Sequence, residues 1–367
     1  MIIGEKRVNC KPGRKDGKSP FSGYRKQGVF DMPATIRDIK RLTGLSLATI
    51  SKYLNGGNVL PENRTRIENA IDELGYEVNE IARWLATKKT KTVGVIVFNI
   101  QSLFNSTLLS YISASLRMAG YGLLICDSAE NLEQESKNIR FLLNKKVDGI
   151  LIIPVNGENH DLQQAEDAGI PVVLLDRPLP GKCCVKIDNV AAACQATELL
   201  IQHHHQDIAI IGFDSEYTGR KRSQGYRQAM EAHGFPIRKS FEKIGKDSIQ
   251  FGYRSMLELL KLKRRPTAVF MTNYEITLGG VMAMNESGIN CPADISLLGF
   301  DNLILSQIVK PKLTMVVQPM KEMAEEAAEI LLKEMEAAGS GICGREVINL
   351  PTHIEIGNSV KSLQPAD

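Results

Sequence analysis

No stretch of this 367-residue chain approaches the roughly 18 uninterrupted apolar residues of a membrane-spanning helix. The opening MIIGEKRVNCKPGRK lacks the apolar segment of a secretory signal, so a cytoplasmic location is expected. Cysteines stand at positions 10, 126, 183, 184, 194, 291 and 343 and form neither a CxxC pair nor a Cys/His spacing that zinc requires. Reduced, mostly buried thiols follow, the adjacent Cys183 and Cys184 included. The run His203, His204, His205 has no converging ligands nearby in sequence, so no metal is expected there. There is no GxGxxG after a strand, no phosphate-binding GxxxxGK[ST] and no GxSxG. Catalysis therefore has no identifiable machinery, and neither enzymatic activity nor a cofactor is expected.

What is present is an ordinary supply of core and charge, 43% hydrophobic and 24% charged residues, as in a globular protein. The length favours two or three domains. Net charge is +3 but unevenly placed: residues 1–91 hold 18 Lys+Arg against 10 Asp+Glu, which leaves the remainder at −5. A basic head on a mildly acidic body suits a polyanion ligand, while on charge alone a solvated charged face is the simpler reading.

Residues 1–31 are basic, lack an apolar period and read as a disordered extension; Met32 opens MPATIRDIK as a natural start would. From Thr35, a capping residue, the pattern is helical. Ile36, Ile39 and Leu42 share one face, Gly44 breaks it, and Ser46 caps a second helix. That second helix buries Ile50 and Leu54, presents Leu47, Ala48 and Lys52, and ends at Asn55-Gly56-Gly57-Asn58. A third carries Ile67, Ala70, Ile71 and Leu74 up to Gly75. Three short helices with a glycine turn between the first two are a helix-turn-helix plan. Beyond Thr92, the apolar runs VGVIVF, YGLLICD, GILIIPV, PVVLLD, DIAIIGF, TAVFMTN and ISLLGFD alternate with amphipathic helices. That alternation implies parallel sheets buried on both faces, with a cleft at the strands' C-terminal ends.

The segments TIRDIKRLTGLSLATISKYLNG and ENRTRIENAIDELGYEVNEIARWLATKKTKTVGVIV, followed in order by KKVDGILIIP, IPVVLLDRPLPG, RSQGYRQAM, RPTAVFMTN, ISLLGFDN and KPKLTMVVQP, resemble the LacI/GalR family of transcriptional regulators over residues 34–360. The resemblance implies an all-α helix-turn-helix head and hinge helix joined to an α/β core of two doubly wound parallel-sheet subdomains. The expected division is 32–78 for the head, 79–91 for the hinge, 92–187 plus 314–339 for the N-subdomain, 188–313 plus 340–360 for the C-subdomain, and 361–367 as a tail. It implies base contacts from Leu47, Ala48 and Lys52; lysine can donate to guanine O6 or N7, and the apolar pair can touch a thymine methyl. Phosphate contacts are implied for Thr35, Ser46, Thr49, Ser51, Asn55, Asn63, Tyr76 and Asn79. Ala82 and Leu85 fall in the hinge segment NEIARWLAT, where the family inserts a leucine from the minor groove. An effector pocket is implied for Leu103, Phe104, Asn105, Asp176, Arg177, Thr218, Arg222, Phe270, Asn273 and Asp301. An Asp, an Arg and an aromatic face suit a polyhydroxylated ring. The implied partners are double-stranded operator DNA, a small-molecule effector and a second copy of the chain.

Departures from the family pattern are Lys40 in the first helix, Leu60 at a capping position, Trp84 in the hinge, Asn105 in place of an aromatic, and Tyr274 in place of the acid after Asn273. A purine, a sugar phosphate or a protein coregulator stands as an alternative effector. A sugar-binding protein without DNA function stands as the rival class, against which the helix-turn-helix argues.

Overall fold

The computed structural model describes residues 34–77, 89–155, 161–301, 308–337 and 346–364. The chain forms two compact units, residues 1–80 and 81–367.

In the first unit, α1 (Ile36–Thr43), α2 (Leu47–Leu54) and α3 (Pro61–Leu74) pack around Ile39, Ile50, Ile67 and Ala70. The Asp38 carboxylate accepts from the Thr35 backbone N–H (3.0 Å) and from its hydroxyl (2.7 Å), closing the start of α1. That hydroxyl bond, together with the backbone bond, holds the Asp38 carboxyl below the usual carboxylate range. Ser46 Oγ accepts from Thr49 N–H at 3.1 Å and caps α2. Gly44, at φ +70°, makes the left-handed turn between α1 and α2 that a residue with Cβ resists. Arg66 donates to the Thr43 carbonyl, tying α3 to that turn. Leu42 does not join the core: it is 46% exposed, and Thr43 is buried beside Ile39 instead, its hydroxyl bonded to the Ile39 carbonyl. Lys40 lies exposed, so its charge stays in solvent.

The second unit holds two six-stranded sheets. The first comprises β1 (Thr92–Val97), β2 (Gly122–Asp127), β3 (Gly149–Ile152), β4 (Val172–Leu175), β5 (Cys184–Ile187) and β11 (Val347–Leu350), in the order β11-β5-β4-β3-β1-β2. Every pairing in it is parallel. The second comprises β6 (Ile208–Phe213), β7 (Glu242–Gly245), β8 (Ala268–Met271), β9 (Ser296–Phe300), β10 (Thr314–Val317) and β12 (His353–Glu355), in the order β12-β10-β9-β8-β6-β7. Only β10 and β12 run antiparallel there. Central strands such as GILI, VVLL, AVFM and SLLGF are buried along their whole length, as helices on both faces require.

The crossover helices are α4 (Leu103–Met118), α5 (Leu132–Lys145), α6 (Asp161–Asp167), α7 (Asn189–Gln202), α8 (Tyr217–Ala232), α9 (Ile249–Leu260) and α10 (Tyr274–Glu286), followed by α11 (Met320–Glu336). α9 and α10 approach through reciprocal glycines: a Cβ on Gly252 would lie 2.3 Å from the Ile276 carbonyl oxygen, and one on Gly279 would lie 2.0 Å from that of Ile249. α11 packs on β3, β4, β5 and α4.

Strand pairing corrects the expected division of this unit. Thr314–Val317 pairs with β9 and belongs to the second sheet, whereas Val347–Leu350 pairs with β5 and belongs to the first. The chain therefore crosses between sheets at Gln318-Pro319 and again at Pro351-Thr352, later in each case than the expected division placed it. The expected tail is also engaged: Lys361 N–H donates to Ser296 Oγ (3.1 Å) and Leu363 N–H to the His203 carbonyl (3.0 Å).

Among the described residues, no helix is long and apolar enough to cross a membrane, and no group of His, Cys, Asp and Glu could hold a metal ion. Two of the three consecutive histidines serve the fold. His203 Nδ1 meets Ser362 Oγ at 2.7 Å, and buried His205 is held by Thr267 Oγ1 (2.9 Å) and the Lys361 carbonyl (3.0 Å). Cys183 and Cys184 are buried, and burial pushes the Cys184 thiol far above its ordinary range.

Candidate DNA-reading face and effector cleft

In the first unit, Leu47 (39% exposed), Ala48 and Lys52 lie on the outer face of α2, opposite Ile50. Ala48 and Lys52, with Thr49, Asn58, Leu60 and Asn63, border one groove between α2 and the start of α3. Of the polar side chains expected to meet phosphates, several also hold local structure. The Thr35 hydroxyl is committed to Asp38, Ser46 and Thr49 share a 2.9 Å hydroxyl contact, and Asn55 Nδ2 donates to the Ser51 carbonyl (2.9 Å). Tyr76 packs against the three-helix core. Leu60 occupies the N-cap of α3 with no side-chain cap bond and is 63% exposed. Asn79, Ala82 and Leu85 lie outside the described residues.

In the second unit, chemistry gathers where the strands end. Phe98 follows β1, Asp176 and Arg177 follow β4, Phe213 ends β6, Asn273 follows β8, Asp301 follows β9 and Gln318 follows β10; all line one small cavity with Ser102, Phe104, Glu216, Thr218, Arg222, Asp247 and Glu275.

The two sheets contribute matching sets. Asp176 (φ +64°) and Asp301 (φ +68°) both adopt the left-handed conformation, rare outside glycine and characteristic of functional turns. Each is buried beside a guanidinium, Asp176 Oδ2 at 3.7 Å from Arg177 Nε and Asp301 Oδ2 at 3.7 Å from Arg222 Nη1. Each arginine lies on a phenylalanine ring, Arg177 3.8 Å from the centroid of Phe98 and Arg222 3.7 Å from that of Phe300. Arg222 also donates to Asn189 Oδ1 (2.8 Å) and the Thr272 carbonyl (2.7 Å).

The cleft is drawn shut by contacts between the two sheets' loops. Arg177 donates to Glu216. Lys246 lies 3.6 Å from Glu130. About 30 Å³ of cavity remains, room for a water or two. Asn273 donates to Asp247, and Gln318 donates to Asp301. Burial lifts the lining acids: Glu216 to about 7 despite Arg177, and Glu275 to about 7 with Asp247 as the next cause. Asp176, Asp247 and Asp301 are raised by the same desolvation.

Of the ten pocket residues expected from sequence, Phe104, Asp176, Arg177, Thr218, Arg222, Asn273 and Asp301 meet in this cavity, and three do not line it. Phe270 is fully buried within β8, where its ring packs in the core between the sheet and its helices. Asn105 is buried in α4 and donates to the Asn99 carbonyl (2.7 Å), bracing the loop after β1. The Leu103 side chain borders a separate surface groove with Tyr111 and Met320. Sequence reasoning missed Phe98, Ser102, Phe213, Glu216, Asp247, Glu275 and Gln318. The strand-end rule points to Phe98, Phe213 and Gln318. The acid that the resemblance places directly after Asn273 appears here one position later, as Glu275, while Tyr274 is buried with its hydroxyl unpartnered.

Residues 35–79 match the family described as bacterial regulatory proteins, lacI family, and residues 197–360 match the periplasmic binding protein-like domain. Catabolite control protein A of Priestia megaterium is 34% identical over 340 residues, 90% of this chain and 100% of that protein. The transcriptional repressor PurR of Vibrio parahaemolyticus is 31% identical over 336 residues, 90% of this chain and 99% of that one. Among solved structures, the lac repressor dimer bound to operator and the anti-inducer ONPF superposes with a TM-score of 0.80 at 24% identity, covering 90% of this chain and 100% of that one, a likeness of fold. The complex of the transcriptional regulator CelR with cellobiose gives a TM-score of 0.66 at 26% identity, covering 89% and 99%. A helix-turn-helix unit, a second unit with a charged cleft at the strand ends of two sheets, and relatives alike over nearly their whole length together place this chain in the LacI family of bacterial transcriptional regulators.

Proposed function

We propose that this chain is a cytoplasmic repressor that binds an approximately palindromic operator as a homodimer and releases or grips it according to a sugar held in the cleft. The observation that carries the reading is the pair of Asp–Arg–Phe sets facing one another at the strand ends. Vicinal hydroxyls accept from a guanidinium and donate to a carboxylate, and a ring's C–H face packs on an aromatic, as Phe104 and Phe213 allow. The cellobiose bound by CelR supports a saccharide over a purine.

On the DNA side, Lys52 donates to a guanine edge while Leu47 and Ala48 meet a thymine methyl. Ser46, Thr49, Ser51, Asn55, Asn63, Tyr76 and Asn79 hold the backbone, and Thr35, its hydroxyl proton engaged, contributes from the helix end. One small head offers too little surface for specificity, which argues for two. Leu85 and Ala82 act in the minor groove at the operator centre.

The test is selection of a binding site from random DNA, followed by fluorescence anisotropy on the selected site with and without a panel of sugars and purines. A two-fold-symmetric site whose affinity changes at least about tenfold with a sugar is expected. Enrichment of no sequence overturns the DNA-reading assignment, and a response to purines alone overturns the sugar.

A further inference from the structure

The cleft holds more acidic groups than basic ones. Its lining includes five carboxyl groups, Asp176, Glu216, Asp247, Glu275 and Asp301, against the guanidiniums of Arg177 and Arg222. The nearest lysines are otherwise engaged: Lys246 pairs with Glu130, which adds a further acid, and Lys186 donates to Asn349 (2.7 Å) and the Ile187 carbonyl (3.1 Å). Among the lining atoms without a hydrogen-bond partner are two buried acceptors, Asp176 Oδ1 and Gln318 Oε1, on residues 4% and 3% exposed, and one donor, Arg177 Nε, which lies 3.7 Å from Asp176 Oδ2. Leaving such groups unmade is costly, so the two acceptors are set for a donor that arrives with the ligand.

We propose that the effector carries a positive charge, an amine on a hydroxylated ring, and that Asp247 and its neighbouring carboxyls select it over neutral and phosphorylated sugars. The inference rests on reading this cleft as the effector site. An ammonium has three donors and no acceptor. It meets orphaned acceptors without needing donors from the wall, and it supplies the missing countercharge as water is expelled. A phosphate does the reverse, bringing further negative charge among five carboxyls in a low-dielectric space. A neutral sugar leaves the imbalance standing.

Asp247 is the point toward which the amine is drawn. It follows β7 at the cavity's edge, its Oδ1 already accepts from Asn273, and its charge is felt by Glu216, Glu275 and Asp301. Burial raises the pKa of Glu216 and Glu275, and the Asp247 charge adds to it.

The experiment is isothermal titration of the full chain at neutral pH with glucosamine, galactosamine and mannosamine, with glucose, galactose and mannose, and with glucose 6-phosphate. At least one amino sugar is expected to bind about tenfold or more tighter than its neutral twin, the gain of a charge-assisted contact, with no binding by the phosphate. Asp247→Asn, its folding checked by circular dichroism, should reduce that preference below about threefold. Equal or tighter binding of the neutral twin or of the phosphate overturns the proposal while leaving the cleft a sugar site. A preference that survives both Asp247→Asn and Glu275→Gln overturns the carboxyls' role. Silence from all seven sugars overturns the sugar reading of the cleft, and this inference with it.

Discussion

Arg222→Met tests how far the cleft is also a structural joint. Arg222 is 3% exposed and holds Asn189 at the start of α7, the Thr272 carbonyl after β8 and the Asp301 carboxylate after β9. Methionine keeps much of the apolar stem above Phe300 but strands a buried carboxylate and leaves two buried acceptors without a donor. Breaking one side of a buried ion pair costs about 3–5 kcal/mol, and that figure already contains much of the orphaned hydrogen bonding. The expected loss in urea unfolding, followed by far-ultraviolet circular dichroism, is therefore about 3–5 kcal/mol at about pH 8.

The same variant has a pH signature. Burial already holds Asp301 above the usual carboxylate range, and Arg222 is the chief group pulling it down. Without Arg222 the carboxyl rises further. A carboxyl raised in the folded state contributes stability that is fully present below its unfolded pKa and is lost as pH rises through its folded pKa. The deficit should accordingly shrink between about pH 8 and about pH 5. Adding Asp301→Asn should restore about half of the loss, since the uncompensated charge is then gone. A variant within about 1 kcal/mol of the parent, or a deficit independent of pH, refutes the reasoning.

Lys52→Ala should lower affinity for the selected operator by about 1–3 kcal/mol and relax preference at one base pair, and an equal loss on random DNA would remove Lys52 from the base-reading set. Leu60→Ser should stabilise the head by about 0.5–2 kcal/mol in thermal unfolding of the intact protein, because an uncapped α3 gains a cap while little buried area is lost; a lower midpoint would show that the Leu60 side chain stabilises the fold. Glu216→Gln with Glu275→Gln should flatten the stability profile between about pH 5 and pH 7. Both carboxyls sit at about 7, above their unfolded value, so the parent loses their contribution as pH rises to 7. An unchanged slope would show that these groups are solvated.

The head was legible because its signals are local. Thr35, Gly44, Ser46 and Gly75 mark helix ends within a few residues of their causes, and only Leu42 broke the pattern, where a short helix turned Thr43 inward. The strands that were read are the uniformly apolar ones. β5, β7, β10, β11 and β12 are not among the apolar runs, and of these the edge strands β7 (EKIG) and β11 (VINL) carry no continuous apolar run. Missing β7 hid Asp247 behind it, and missing β11 misplaced the crossovers. The Asp–Arg pairs were found through family resemblance, whereas Glu216 and Glu275 came into view only when two loops distant in sequence closed on one cavity.

The late crossovers set a timetable for synthesis. Everything the head needs lies between Thr35 and Tyr76, so it is free to fold while most of the chain is still unmade. Neither sheet of the second unit shares that freedom. The first waits for β11, and the second waits for β12 and for Ser359, whose hydroxyl joins Thr314 N–H (2.8 Å) to the Leu297 carbonyl (2.6 Å). At about 5–20 residues per second, the interval between a finished head and a closable second unit is on the order of 15–60 s. During that time the nascent chain carries a folded helix-turn-helix unit tethered to open, unpaired strands. A nonsense mutation or proteolytic nick that removes the last ten residues does not trim an inert end: it takes away the bolt between β9 and β10, one residue of which begins the turn that holds Asp301.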